Sequence, residues 1–314
     1  MIRLVVRMAM TTKRVTLTTA ADRADLVVRD LTGRSRSGVR GLFDHGCVTR
    51  DGAALDAGDR LAAGATVVVT FDAARHYKEK PRLPVNRALA IVFEDPHLIV
   101  VDKPAGLLSV PTPRGETDTL FDAVCRHVNR GPRLRKQVTV VQRLDRDTSG
   151  LLVFAKNRVV GAKLQAQLKA RKPEREYVAF VAGHLALAKA TFRSYLRTAE
   201  GLHEESTADP SLGKEAVTHY EVVERLRQAT QVRVHLETGR RNQIRAHFAE
   251  AGHPVLGDTH YEPQRAAHPA WTAKRLALHA AGLGFVHPMT GARLRFASPL
   301  PDCFARFLVD AAQR

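Results

Sequence analysis

Apolar positions along this chain fall mostly into short runs bounded by turn residues, which is the spacing of strands rather than of long helices. Val67-Val68-Val69, Ile91-Val92-Phe93 and Leu98-Ile99-Val100-Val101 are such runs, the last two separated by an Asp95-Pro96 turn. Further strand-like stretches fall at 176–182, 191–197, 215–224 and 231–237. Helical spacing interrupts them in a few places. Leu120, Val124 and Val128 recur at i, i+4 and i+8 behind a candidate cap at Thr117, and Leu164 and Leu168 mark another helix among alanines. Strands predominate and do not alternate regularly with helices. The expected class is therefore α+β, with a mainly antiparallel mixed sheet and inserted helices.

The pattern also divides the chain. Residues 18–75 read as a small α/β unit: a helix from Arg23 to Leu31 ended by Gly33, then a second helix capped by Ser37. In that second helix Val39, Leu42 and Phe43 share one face, and Gly46 suits its left-handed exit. An Asp51-Gly52 turn leads on to the valine strand. Residues 76–88, containing HYKEKPRLP, are polar, basic and proline-bearing, as a linker would be. The remainder, 89–314, is long enough for a domain with its own core, and Arg130–Lys136 forms an Arg-rich loop within it.

Charge narrows the partner. The net charge of +17 and pI near 10.4 favour a polyanion, and nucleic acid is the commonest. An acidic membrane surface is the competitor, but no apolar run approaches a membrane span and no basic amphipathic helix dominates. The opening MIRLVVRMAM is too broken by Arg3 and Arg7 for a signal peptide, and Met8 or Met10 is an alternative start. Cys47, Cys125 and Cys303 lack paired spacing, so neither a disulfide framework nor a zinc site is expected, and a reducing cytoplasm fits. The fourteen histidines include His235, His247, His253, His260, His268, His279 and His287, scattered rather than set at ligand spacing; no metal is assigned.

The densest chemical signal is Val140-Val141-Gln142-Arg143-Leu144-Asp145-Arg146-Asp147-Thr148-Ser149-Gly150, followed by the apolar Leu151–Ala155. A carboxylate there sits on a short loop between two strands, a rigid mount for a catalytic group. The residues alone favour Asp145 and Asp147 as turn formers. The segment closely resembles the Arg-Leu-Asp and Thr-Ser-Gly signature of the RluA-type RNA pseudouridine synthases. Further blocks extend the resemblance over roughly 90–301: Asp102-Lys103-Pro104-Ala105-Gly106, Glu176–Gly183, Val234–His247, Gly252-His253-Pro254, Gly257-Asp258 through Tyr261, and Arg275–Ala280 with Phe285–Pro288. Residues 35–59 resemble the alpha-L RNA-binding module first known from a small-subunit ribosomal protein.

The resemblance implies a uridine isomerase that uses an aspartate and no cofactor. It assigns Asp145 as the carboxylate acting at the sugar, Arg245 as its partner, and Tyr177 as the ring stacked on the extracted uracil. It gives Arg143 the role of filling the vacated stack, and makes Ile244 and Leu278 pocket walls, for which plain core packing is the equal alternative. Arg240 and Arg241 read as phosphate contacts, and Arg34, Arg36 and Arg40 as the module's RNA-facing cations, the alternative being a solvated helix face. Two positions depart from the usual pattern: Gln142 and Asn242 stand where the family has histidine, and neither gains a charge near neutral pH.

The implied partner is structured RNA, ribosomal in preference to transfer RNA, handled by a cytoplasmic monomer with no membrane contact. A catalytically silent RNA-binding or ribosome-assembly factor on the same fold is the alternative, disfavoured by the joint presence of Asp145, Tyr177 and Arg245. A glycosidase-like hydrolase would need a second carboxylate across the cleft, for which Asp147 is the nearest candidate in sequence.

Overall fold

The computed structural model describes residues 10–18, 21–73, 77, 89–112, 118–130, 137–199 and 203–312. The chain separates into two compact units, Met1–Val85 and Asn86–Arg314. Most of the anticipated linker, all of 131–136 in the Arg-rich loop, and Thr117 lie outside the described residues.

The first unit runs β1 (Met10–Thr16), β2 (Ala21–Arg23), α1 (Ala24–Thr32), α2 (Arg36–Asp44), β3 (Val48–Arg50), β4 (Ala53–Ala54), β5 (Arg60–Leu61) and β6 (Thr66–Asp72). Its sheet has the order β1-β6-β3-β4, and β2 pairs with β5. β6 alternates, placing Val67, Val69 and Phe71 against Val28, Val39 and Leu42 of the two helices. Gly33 closes α1 at φ 66°, and Asp51 and Gly52 take φ 49° and 84° in the turn between β3 and β4. Two expectations change. The cap of α2 is Ser35, whose hydroxyl accepts the Gly38 N–H at 3.4 Å, while Ser37 hydrogen-bonds with Ser35 instead. The sheet also begins earlier than residue 18, because β1 pairs with β6 along its whole length.

The second unit runs β7 (Ala90–Glu94), β8 (Leu98–Lys103), α3 (Leu120–Val128), β9 (Thr139–Val140), β10 (Ser149–Ala155), α4 (Arg158–Lys169), β11 (Glu174–Ala182), β12 (Lys189–Thr198), β13 (Glu204–Thr207), β14 (Lys214–Leu226), β15 (Ala229–Leu236), α5 (Gln243–Glu250), β16 (Leu278–Val286), β17 (Arg293–Ala297) and α6 (Asp302–Ala312). Among the described residues its eleven strands form one sheet of order β13-β12-β14-β15-β11-β16-β10-β8-β7, with β17 beside β16 and β9 beside β10. Every pairing is antiparallel except β10 with β16. The mixed sheet with inserted helices is the α+β class read from the sequence.

β10 is buried on both faces, which explains its unbroken apolar run. Leu151 and Val153 pack with Val160 and Leu164 of α4, while Leu152 and Phe154 pack with Leu120 and Val124 of α3. α3 starts from Thr119 rather than Thr117: the Thr119 hydroxyl accepts the Asp122 N–H and the Asp122 carboxylate accepts the Thr119 N–H, a reciprocal cap. The parallel step depends on Gly150, whose φ is 114° and where a Cβ would lie 2.2 Å from the Ala280 carbonyl oxygen. No helix among the described residues is long and apolar enough to cross a membrane.

Candidate active site

The loop between β9 and β10 is pinned on both sides of Asp145. The Ser109 hydroxyl donates to the Leu144 carbonyl at 2.6 Å and accepts the Leu144 N–H at 3.0 Å. On the other side the Arg146 carbonyl accepts the Gly106 N–H at 2.8 Å and the Lys103 ammonium at 2.9 Å. Lys103 is fully buried, and it also donates to the carbonyls of Pro104 and Leu107, so a cation is held beneath the loop. The turn closes with the Thr148 N–H on the Asp145 carbonyl. With its backbone fixed this way, the Asp145 side chain keeps 27% of its exposure, the open end of the site. Asp147, the nearest second carboxylate in sequence for a hydrolase reading, is engaged by Arg146 at 3.3 Å.

Arg245, on α5, reaches Asp145 but is held elsewhere. Its Nη1 lies 3.8 Å from Asp145 Oδ2, an ion pair beyond hydrogen-bonding distance. Its Nε and Nη2 donate to the two oxygens of Asp258 at 2.6 and 2.7 Å, a two-pronged pair, and Nη1 donates to Asn242 Oδ1 at 2.9 Å. Asp258 is fully buried at its side chain and also accepts the N–H groups of His260 and Tyr261. The Tyr261 ring lies 5.0 Å from the guanidinium carbon. Gly257 makes the turn that delivers Asp258, since a Cβ there would meet the Arg275 carbonyl oxygen at 2.2 Å. Arg245 thus lies within ion-pairing reach of Asp145, while its hydrogen bonds go to Asp258 and Asn242.

These surroundings set the protonation of the site. Burial pushes the Asp145 carboxyl above its ordinary value; Arg245, Lys103 and Arg241 pull it down, and Asp258 adds to the rise. Tyr177, on β11, is nine-tenths buried, and burial raises its phenol, opposed by Arg175 and reinforced by Asp145. Asp145 and Tyr177 therefore sense each other across the site.

The remaining candidates separate. Ile244 and Leu278 are 4% and 3% exposed in the same apolar cluster as Tyr177 and Leu144, a position that fits a pocket wall and core packing alike. Arg143 is exposed beside the loop. Arg240 is exposed but rests its Nε on the Glu215 carbonyl at 2.9 Å. Arg241, read from the sequence as a phosphate contact, pairs its Nη2 with buried Glu204 at 2.8 Å, and its charge acts on Asp145. In the first unit, Arg36 is exposed and Arg40 half-buried, while Arg34 stacks over Phe71 at 4.6 Å and near Tyr77, more a packing cation than a free one.

Four contributors escaped the sequence reading: Lys103, Ser109, Gln243 and Asp258. The buried Gln243 amide donates to the Val217 carbonyl and Thr218 hydroxyl and accepts from the Thr238 hydroxyl and the Arg240 N–H, which fixes the 238–242 loop. Lys103, Gln243 and Asp258 all lie inside the blocks quoted above, and that membership was the available signal. Among the described residues, no cluster of three or more His, Cys, Asp or Glu could hold a metal.

Comparison with known proteins bears on this arrangement. Residues 97–250 match the RNA pseudouridylate synthase family model. The ribosomal large subunit pseudouridine synthase D of Pseudomonas aeruginosa is 38% identical over 279 residues, covering 86% of this chain and 85% of that protein. Its counterpart in Zymomonas mobilis is 35% identical over 305 residues, covering 93% and 95%. The structure of human RNA Pseudouridylate Synthase Domain Containing 4 shares the fold at a TM-score of 0.57 and 20% identity, over 70% of this chain and 92% of that one.

Proposed function

The chain belongs to the RNA pseudouridine synthase family, and from that premise we propose that it isomerises specific uridines to pseudouridine in structured ribosomal RNA, with no cofactor. The reaction breaks the bond from ribose C1′ to the uracil nitrogen, turns the base and rejoins it through C5. It transfers no electrons and no phosphate, and it needs one carboxylate at the sugar, as nucleophile at C1′ or base at its neighbour.

The observation that carries this reading is the mounting of Asp145: fixed backbone on both sides, a mouth open to solvent, and Arg245 at 3.8 Å. We assign Asp145 the sugar chemistry. Tyr177 would stack on the uracil and assist removal of the C5 proton after the base is rejoined. Reaching the base requires taking it out of its stack, at about a few kcal/mol when paired and less in a loop. Arg143, exposed beside the loop, would fill the vacancy. Ile244 and Leu278 would wall the pocket.

The net charge of +17 supports a polyanionic substrate, and the curated relatives' names support ribosomal over transfer RNA. We read the first unit as the module that gives grip and selectivity, with the exposed Arg36 contributing more than the stacked Arg34. The enzyme is taken as a cytoplasmic monomer. Mapping pseudouridines in total RNA from cells with and without this gene tests the proposal. Loss of one or a few ribosomal sites is expected; loss confined to transfer RNA, or no loss, would overturn the substrate or the activity.

A further inference from the structure

We propose that Asn242 is the positioning residue that aims Arg245 at Asp145, an inference that rests on the isomerase reading above. Arg245 has five N–H donors in a rigid fork. Asp258 takes one from Nε and one from Nη2, and Asn242 Oδ1 takes one from Nη1. Nη1 is the nitrogen nearest Asp145, at 3.8 Å. The amide oxygen therefore sets the rotation of the guanidinium about its Asp258 axis, and with it the direction of the charge that Asp145 feels.

Asn242 is suited to the place in two ways. It is the residue before α5 and has φ 51°, a left-handed conformation that asparagine tolerates better than most side chains. The Tyr261 ring lies under the same guanidinium, 5.0 Å from its carbon. The amide thus ties the helix start to an arginine already backed by an aromatic ring. Being neutral, it accepts from Arg245 at every working pH without competing for the guanidinium's charge. A carboxylate in its place would compete, and an imidazole would lose its acceptor on protonation.

The charged and titratable groups facing Asp145 are Arg245, Lys103, Arg241, Asp258 and Tyr177. Asn242 acts on Asp145 through the first of these alone. Two variants separate positioning from scaffolding. Asn242→Gly keeps the left-handed backbone and removes the clamp; kcat should fall about 10- to 100-fold at unchanged KM for RNA. Asn242→Asp keeps shape and backbone but adds a negative charge beside Arg245, so the acidic limb of the kcat–pH profile should move to higher pH. Both are measured on the full chain under single-turnover conditions, with thermal unfolding recorded alongside; should the Gly variant fail to fold, the Asp variant decides. Unchanged kcat in a folded Gly variant, or an unmoved limb in the Asp variant, would overturn the assignment. Failure of the isomerase reading is distinguishable, because the wild-type protein would then form no pseudouridine at all.

Discussion

Two carboxylates face the same guanidinium and end in opposite conditions. Asp258 lies on a turn with no side-chain exposure, takes two short hydrogen bonds from Arg245 and two more from backbone N–H groups. Asp145 lies on a pinned loop, keeps an opening to solvent, and receives from Arg245 only a field across 3.8 Å. One is saturated and the other left wanting. A buried carboxylate that takes four hydrogen bonds holds a structure together but is closed to a substrate. One with a fixed backbone and a nearby charge keeps its oxygens free for chemistry. The arginine can serve Asp145 because Asp258 and Asn242 hold it still.

The strongest way to break the comparison is to remove the shared cation. Arg245→Met leaves Asp258 a buried charge without its partner, and a loss of about 3–5 kcal/mol in urea unfolding is expected. Arg245→Lys keeps the charge but not the planar fork, so both stability and activity should fall between those of Met and wild type. RNA affinity should barely change in either. Lost affinity with full activity at saturation would make Arg245 a phosphate contact instead.

Loosening the pinned side comes next. Ser109→Ala removes both hydrogen bonds to Leu144 and leaves buried backbone groups unmet, at about 1–3 kcal/mol. A drop in single-turnover rate larger than the drop in RNA affinity is expected; intact activity would mean the loop is held without it.

A smaller effect of opposite sign sharpens the contrast between the two aspartates. Because burial raises the Asp145 pKa, the folded chain binds that proton more tightly than the unfolded one. From this group, stability is gained as pH falls through the window between the folded and the ordinary value, 3.8, and is lost above it. Asp145→Asn should therefore be more stable at neutral pH by about 1 kcal/mol and unfold at slightly higher temperature, the usual sign of a site strained for function. A clear destabilisation would show that Arg245 outweighs burial.

The smallest effect concerns the first unit, where the same distinction between engaged and available groups recurs. Arg36→Ala should reduce the log–log salt slope of RNA binding by about one unit or less. Arg34→Ala should cost stability through its lost stack on Phe71 while moving the slope less. Equal slopes for both variants would erase the distinction.

The loop proposed to bear the chemistry stands out in the sequence because Arg143–Gly150 is contiguous, so one segment carries both the carboxylate and its turn. Strand positions followed from short apolar runs bounded by turn residues, and the continuous run Leu151–Ala155 reflects burial on both faces. The saturation of Arg245 was not readable. Its partners at 242 and 258 flank a helix and a turn, and only the folded chain shows that Asp258, not Asp145, takes the fork. Lys103 was hidden for a related reason: a lysine beside a proline looks like surface until three carbonyls converge on its ammonium. The caps shifted by two residues, to Ser35 and Thr119, because each helix had two hydroxyl residues within reach of its start.

The central claim is that Asp145 carries the isomerisation, and tritium release from RNA labelled at uracil C5 tests it most directly. Single-turnover release by the wild-type protein should be compared with Asp145→Asn at RNA concentrations that saturate both. Release by the wild type, with none above background from a folded variant that binds RNA equally well, is the expected result. Measurable turnover by Asp145→Asn would contradict it.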